Sequence, residues 1–151
     1  MRIAIGSDHA GFELKDYLCR ELTKDGFELI DCGTNSRDSV DYPDFARKVC
    51  DLVLSGEARF GIVLCGTGIG VSMTANKIHG IRAALCHTEF SARMARQHND
   101  ANVLALGGRV MGTELALEIA RTFIGETFTD DPRHRKRIQK MMELERFTQD
   151  S

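Results

Sequence analysis

Short apolar runs alternate with amphipathic stretches along the whole of this chain. The runs lie at 3–5, 27–30, 62–65, 82–86 and 103–106, and most are rich in Val, Ile or Leu. Brief continuous runs of this kind read as strands covered on both faces, where the alternation of a half-exposed strand is lost. Between them apolar residues recur at helical spacing. Leu14, Tyr17, Leu18 and Leu22 form one stripe, Phe45, Val49, Leu52 and Val53 a second, and Leu115, Ile119 and Phe123 another. Shorter helices are predicted over about 71–77 and 88–97. The apolar members of these stripes face the core. Pro43 and Pro132 stand near helix starts, where a missing N–H costs nothing. Asp131 followed by Pro132 reads as an N-cap and first helical residue, opening a last helix to about 147.

Alternating β and α elements imply an α/β fold with a parallel, doubly wound sheet of five strands and right-handed crossovers. Length fits that picture. The chain has 151 residues, enough for one domain with a real core, and no linker, repeat or low-complexity segment divides it. In such a sheet the ligand crevice lies outside the carboxyl ends of the strands.

Composition removes several classes of function. The formal net charge is −2, which argues against nucleic-acid binding. No apolar stretch approaches the ~18–20 residues that cross a bilayer, and the first residues, MRIAIGSDH, lack the apolar core of a signal peptide. A cytoplasmic protein is expected. The five cysteines, Cys19, Cys32, Cys50, Cys65 and Cys86, include no CxxC pair, so neither a disulfide framework nor a structural zinc site is expected. Cys19, Cys32 and Cys50 read as small core hydrophobes. Cys65 and Cys86 alone fall just after strand-like runs.

The chemistry gathers in the segments at the strand ends. Ser7-Asp8-His9-Ala10-Gly11 comes after the first strand, Cys65-Gly66-Thr67-Gly68-Ile69-Gly70 after the third, Cys86-His87 after the fourth and Gly107-Gly108-Arg109 after the fifth. His98-Asn99-Asp100 just precedes the fifth, and the fold is expected to bring several of these together. The glycine loop is GxGxG. It is neither the dinucleotide fingerprint GxGxxG nor a phosphate-binding GxxxxGK[ST] loop. A strand, a cysteine and a glycine loop opening a helix place a thiol beside free backbone N–H groups, an environment that favours thiolate. Plainer readings exist for each residue. Cys65 can be a buried strand residue, Asp8 a helix cap, Arg109 a surface charge, and Arg133-His134-Arg135-Lys136-Arg137 a solvated face. His9 and His98, in SDHAG and RQHND, sit in polar, turn-like contexts that suit function better than core. Arg133 and Arg137, four apart on one helical face, can clamp a phosphate.

Together these motifs resemble one family, the type B ribose-5-phosphate isomerases grouped with the allose- and galactose-6-phosphate isomerases. The matching segments are SDHAGF at 7–12, DYPDFA at 41–46, CGTGIG at 65–70, ANKIHGIRA at 75–83, RQHNDANVLALGGR at 96–109 and RHRKR at 133–137. The resemblance implies a Rossmann-like three-layer fold, aldose–ketose isomerisation of a sugar phosphate, and no metal or nucleotide cofactor. It makes Cys65 the base that moves a proton between C2 and C1. Thr67 and the amides around Gly66, Gly68, Ile69 and Gly70 would hold the enediolate oxygens. His98 would open the furanose ring with Asn99 alongside, Asp8 would bind sugar hydroxyls, and Tyr42 would border the pocket. His9 and Arg109 would reach phosphate or ring oxygens. Arg133 and Arg137 would come from a neighbouring subunit, implying a homodimer or a tetramer. One subgroup replaces the cysteine by a glutamate just beyond the glycine loop; here that position is Val71. Six-carbon sugar phosphates, a non-catalytic sugar-phosphate-binding module and a redox role for Cys65 remain as alternatives.

Overall fold

The computed structural model describes residues 1–149, with side chains through Arg146. The elements follow in the order β1 (Arg2–Ser7), α1 (Phe12–Lys24), β2 (Glu28–Asp31), α2 (Tyr42–Ser55), β3 (Phe60–Cys65), α3 (Ile69–Asn76), β4 (Ala83–Leu85), α4 (Glu89–Gln97), β5 (Val103–Gly107), α5 (Thr113–Gly125) and α6 (Pro132–Gln149). The five strands form one parallel sheet in the order β2-β1-β3-β5-β4. This is the expected α/β, Rossmann-like architecture.

Strand alternation divides the core in two. Phe60, Ile62 and Leu64 of β3 join Ile3 and Ile5 against Leu14, Leu18 and Leu22 of α1, Ala92 and Ala95 of α4, and Ile119 and Phe123 of α5. Val63 and Cys65 turn the other way, with Ala4 and Ala105, onto Ala46 and Val49 of α2 and Val71 and Ala75 of α3. Both faces of the central strands are therefore covered, which is why β3 and β5 are buried throughout and read as unbroken apolar runs.

Strands β1 and β3 run longer than expected, and two further boundaries move for a local reason. Helix α3 begins at Ile69 because Gly68, at φ +79°, turns the chain directly from loop into helix. The fourth strand shrinks to three residues, and the carboxamide of Asn76 covers part of its free edge. That side chain donates to the Ala83 carbonyl (3.0 Å) and accepts from the Ala83 N–H (2.8 Å), as a neighbouring strand would.

The chain leaves β1 toward β2 on one side and reaches β3 on the other. The winding thus reverses between β1 and β3, the point where such sheets open a crevice at their carboxyl ends. Cys65 is the last residue of β3.

Candidate active site

Three loops are sewn together at this switch point by backbone hydrogen bonds. Asp8 N–H donates to the Leu64 carbonyl (3.2 Å), Gly108 N–H to that of Cys65 (2.9 Å) and Arg109 N–H to that of Gly66 (2.9 Å). The loops approach too closely for side chains. A Cβ on Gly107 would stand 2.6 Å from the Thr67 backbone, and at Gly68 it would meet Leu106 and Leu85 as well as an unfavourable φ.

Cys65 is 5% exposed. Its Sγ accepts the Gly68 N–H at 3.2 Å, so the loop aims a backbone dipole at the sulfur. Thr67 Oγ1 accepts the Ile69 N–H (3.2 Å), and the first turn of α3 opens behind it with N–H groups that have no partner inside the helix. Cys86, the other strand-end thiol, has a different setting. It packs in the opposite core layer, and burial pushes it up to about 11. Burial likewise raises Cys50 to about 12 and Cys19 to about 11. These three belong to the packing.

Asp8 is buried, and its Oδ1 accepts the N–H groups of Ala10 (2.9 Å) and Gly11 (3.1 Å). That bond set fixes the β1–α1 turn; Gly11 is the helix N-cap, so Asp8 acts one turn earlier than a cap. His9 Nδ1 accepts the Val40 N–H at 3.2 Å, which leaves Nε2 to carry the proton of a neutral ring. Tyr42 opens α2 and lays its ring on the loop, close enough that a Cβ on Gly70 would meet it at 2.6 Å. Arg109 lies over the Gly66 backbone, 3.4 Å from a Cβ placed there. A cleft of about 510 Å³ runs along this edge, lined by Asp8, His9, Val40, Asp41, Tyr42, Pro43 and Asp44.

The remaining sequence candidates lie elsewhere. His98 caps the carboxyl end of α4, and the chain then enters the amino end of β5. Asn102 bonds there to Gly61 and Arg82, at the starts of β3 and β4. Four residue steps of β3, from Gly61 beside Val103 to Cys65 beside Gly107, separate that level from the thiol, about 13 Å. Of the segments expected to meet, those after β1, β3 and β5 do so, while His98 and Asn99 stand at the opposite end of the sheet. The α4 crossover between the parallel neighbours β4 and β5 returns the chain to the amino end of the sheet, and α4 ends there.

His98 is not isolated. Its ring stacks on His134 of α6, with centroids 4.1 Å apart and planes 14° from parallel. Burial and the neighbouring His98 hold His134 below the ordinary histidine range. Arg133 bonds to Asp131 through its backbone N–H (2.8 Å) and its guanidinium (3.3 Å), and that pairing holds the Asp131 carboxyl low. Asp131 thus caps the helix as expected. Arg133 and Arg137 share a shallow pocket of about 290 Å³ with Lys136 and Lys140. Sequence reasoning missed these two lysines, although positions 133, 136, 137 and 140 keep helical spacing.

One edge of the chain thus offers a thiol facing a backbone donor, and the other an imidazole pair beside a cation cluster that suits a phosphate. The family model for ribose/galactose isomerases matches residues 3–141. The chain is 45% identical over 144 residues to ribose-5-phosphate isomerase B of Escherichia coli, covering 95% of this chain and 96% of that one. Its fold matches the ribose-5-phosphate isomerase B structure from Clostridium thermocellum with a TM-score of 0.95, at 52% identity and 98% and 99% coverage. The enzyme from Thermotoga maritima gives 0.92, at 54% identity and 94% and 97% coverage. The chain belongs to the ribose/galactose isomerase family.

Proposed function

We propose that this chain is an aldose–ketose isomerase that interconverts ribose 5-phosphate and ribulose 5-phosphate, with Cys65 as the base. The observation that carries the reading is the Cys65 sulfur at the switch point, facing the Gly68 N–H at 3.2 Å, in a chain of this family. The Cys65 thiolate takes the C2 proton of the open-chain aldose, and the electron pair moves through C1 onto O1. Thr67 and the amides of Gly66, Gly68, Ile69 and Gly70 hold the resulting enediolate; one such donor is worth ~3 kcal/mol in comparable sites. A proton passes from O2 to O1, and Cys65 returns its proton to C1. Asp8 and Tyr42 hold the sugar, while His9 and Arg109 reach toward phosphate or ring oxygens. No metal or nucleotide takes part in this scheme.

The second edge enters the same reading through a second copy. His98 and Asn99 would open the furanose ring, and Arg133 and Arg137 would hold the phosphate, in the site of a neighbouring subunit. What supports this is the separation of those residues from Cys65 along the sheet. The chain then works as one domain, 1–151, in a homodimer or a tetramer, with α6 reaching across. Among the described residues no helix is long and apolar enough to cross a membrane, and the substrate suits a cytoplasmic enzyme.

Cys65→Ala and Cys65→Ser, assayed with ribose 5-phosphate, test the base. Loss of turnover in both is expected; turnover near wild type in both sinks the reading. Ribose, allose and galactose phosphates in one competition assay decide between five- and six-carbon substrates.

A further inference from the structure

Two arginines that the reaction scheme leaves unused converge on the turn after His98. Arg82, just before β4, donates from Nε to the Asn99 carbonyl (3.0 Å) and from Nη2 to the Asp100 carbonyl (2.7 Å). Arg96, in the last turn of α4, donates from Nη1 to the Ala101 carbonyl (2.7 Å) and to Asp100 Oδ1 (2.8 Å). Three consecutive carbonyls therefore each receive a guanidinium N–H. The Asp100 carboxylate lies between the two cations, with its Oδ2 3.6 Å from Arg82.

This clasp holds a backbone that needs holding. Asp100 stands at φ +45°, in a region that Asp enters more readily than most residues but still at a cost. Both arginines are firmly seated. Arg96 is 2% exposed, with its guanidinium over the Phe60 ring at 4.5 Å and the Phe123 ring at 5.7 Å. The Arg82 side chain is 18% exposed. Its backbone is tied to Asn102, which accepts the Arg82 N–H (2.8 Å) and donates to the Arg82 carbonyl (3.0 Å). On the other side of His98, its N–H bonds to the Met94 carbonyl (2.9 Å) and its ring rests on His134. The histidine is thus fixed by helix, clasp and stack before any substrate arrives.

We propose that Arg82 is a positioning residue for His98: with Asp100 and Arg96 it locks the Asn99–Ala101 turn and so sets the imidazole for opening the sugar ring. The proposal rests on the reading of His98 as the ring-opening group. It asks for a planar fork at position 82, because a lysine keeps the charge but cannot serve two carbonyls in fixed geometry.

The test compares ribose 5-phosphate, which closes a furanose ring, with a four-carbon aldose 4-phosphate, whose phosphorylated O4 prevents that closure. Wild type, Arg82→Lys and His98→Asn are assayed on both, with Asp100→Asn as a second disruption of the clasp that still tolerates positive φ. Arg82→Lys should lower kcat/KM on the ring-forming substrate by about 10–100-fold, the scale of a misplaced catalytic group. Most of that loss should lie in kcat, and the open-chain substrate should suffer much less. Asp100→Asn should show the same selectivity. Equal loss on both substrates for Arg82→Lys and Asp100→Asn marks the clasp as merely structural and overturns the proposal. So does wild-type behaviour of Arg82→Lys on the ring-forming substrate while His98→Asn is selectively impaired. Equal loss on both substrates for His98→Asn removes the ring-opening reading itself, and the proposal falls with it.

Discussion

The two ends of the sheet are built from different materials. At the carboxyl end the candidate site is backbone: glycines at 66, 68, 70, 107 and 108, the Gly68 amide aimed at the Cys65 sulfur, and loops bonded across β1, β3 and β5. At the amino end it is side chain: imidazoles, guanidinium groups and ammonium groups on α4 and α6, steadied by carboxylates. A developing oxyanion gains most from donors that need not move during reaction, and backbone packed this tightly cannot move. A phosphate dianion is instead held by charge and reach, which long side chains on an exposed helix supply. One chain can therefore preorganise the first half within itself, and in the proposed scheme it lends the second to a neighbouring copy.

The largest effect is expected at the thiol. Cys65→Ala should lower turnover with ribose 5-phosphate by about 10²–10⁴-fold, the worth of a positioned general base, with the thermal midpoint little changed. On the opposite edge, Arg137→Ala should raise KM by about tenfold or more, since a charge-assisted bond is lost, and leave kcat nearer to wild type. Steady-state kinetics separate the two patterns, and a kcat defect in Arg137→Ala with unchanged KM contradicts a phosphate role.

Mixed subunits ask whether the two ends belong to one site. If they meet only between subunits, Cys65→Ala and His98→Asn chains unfolded and refolded together form hybrids in which one of the two sites is whole. Random pairing in a two-fold dimer then restores about a quarter of wild-type activity. Activity no higher than in the two separate variants means the edges do not share a site.

Smaller effects probe the backbone half. Gly107→Ala should cost about 1–3 kcal/mol in urea denaturation through overpacking, because its Cβ would press on Thr67 at 2.6 Å. An unchanged midpoint denies that close approach. The smallest effect is alkaline. Cys50 and Cys86 stand at about 12 and 11 through burial, above the values they would have unfolded. Their contribution to stability is intact below about pH 9 and is lost as pH climbs toward 11. Urea midpoints should fall over that range, and less steeply in Cys86→Ala.

Much of this was legible in the residues. The apolar runs located all five strands, and the stripe through Leu14, Leu18 and Leu22 marked a helix face that is buried. The CGTGIG segment marked the tight loop after β3, where Gly68 at φ +79° opens α3. Cys65 and Cys86 looked alike in sequence, because both end apolar runs. They differ only because strand alternation sends one to each core layer. Lys136 and Lys140 were hidden in a charged helix, where a solvated face and a shared anion pocket have the same spelling. The clasp from Arg82 to the Asn99–Ala101 turn was invisible, since its partners are carbonyls, and every residue has one.

Fold class and family could both be read from the chain, and so could the candidate residues, because hydrophobic periodicity and glycine loops are local signals. Which of those residues share an edge emerged only from the folded molecule. That depends on strand order and on the crossover returning α4 to the amino end of the sheet, and neither is written in any short segment. His98 and Cys65 are 33 positions apart in the chain. What separates them in space is the direction of β5.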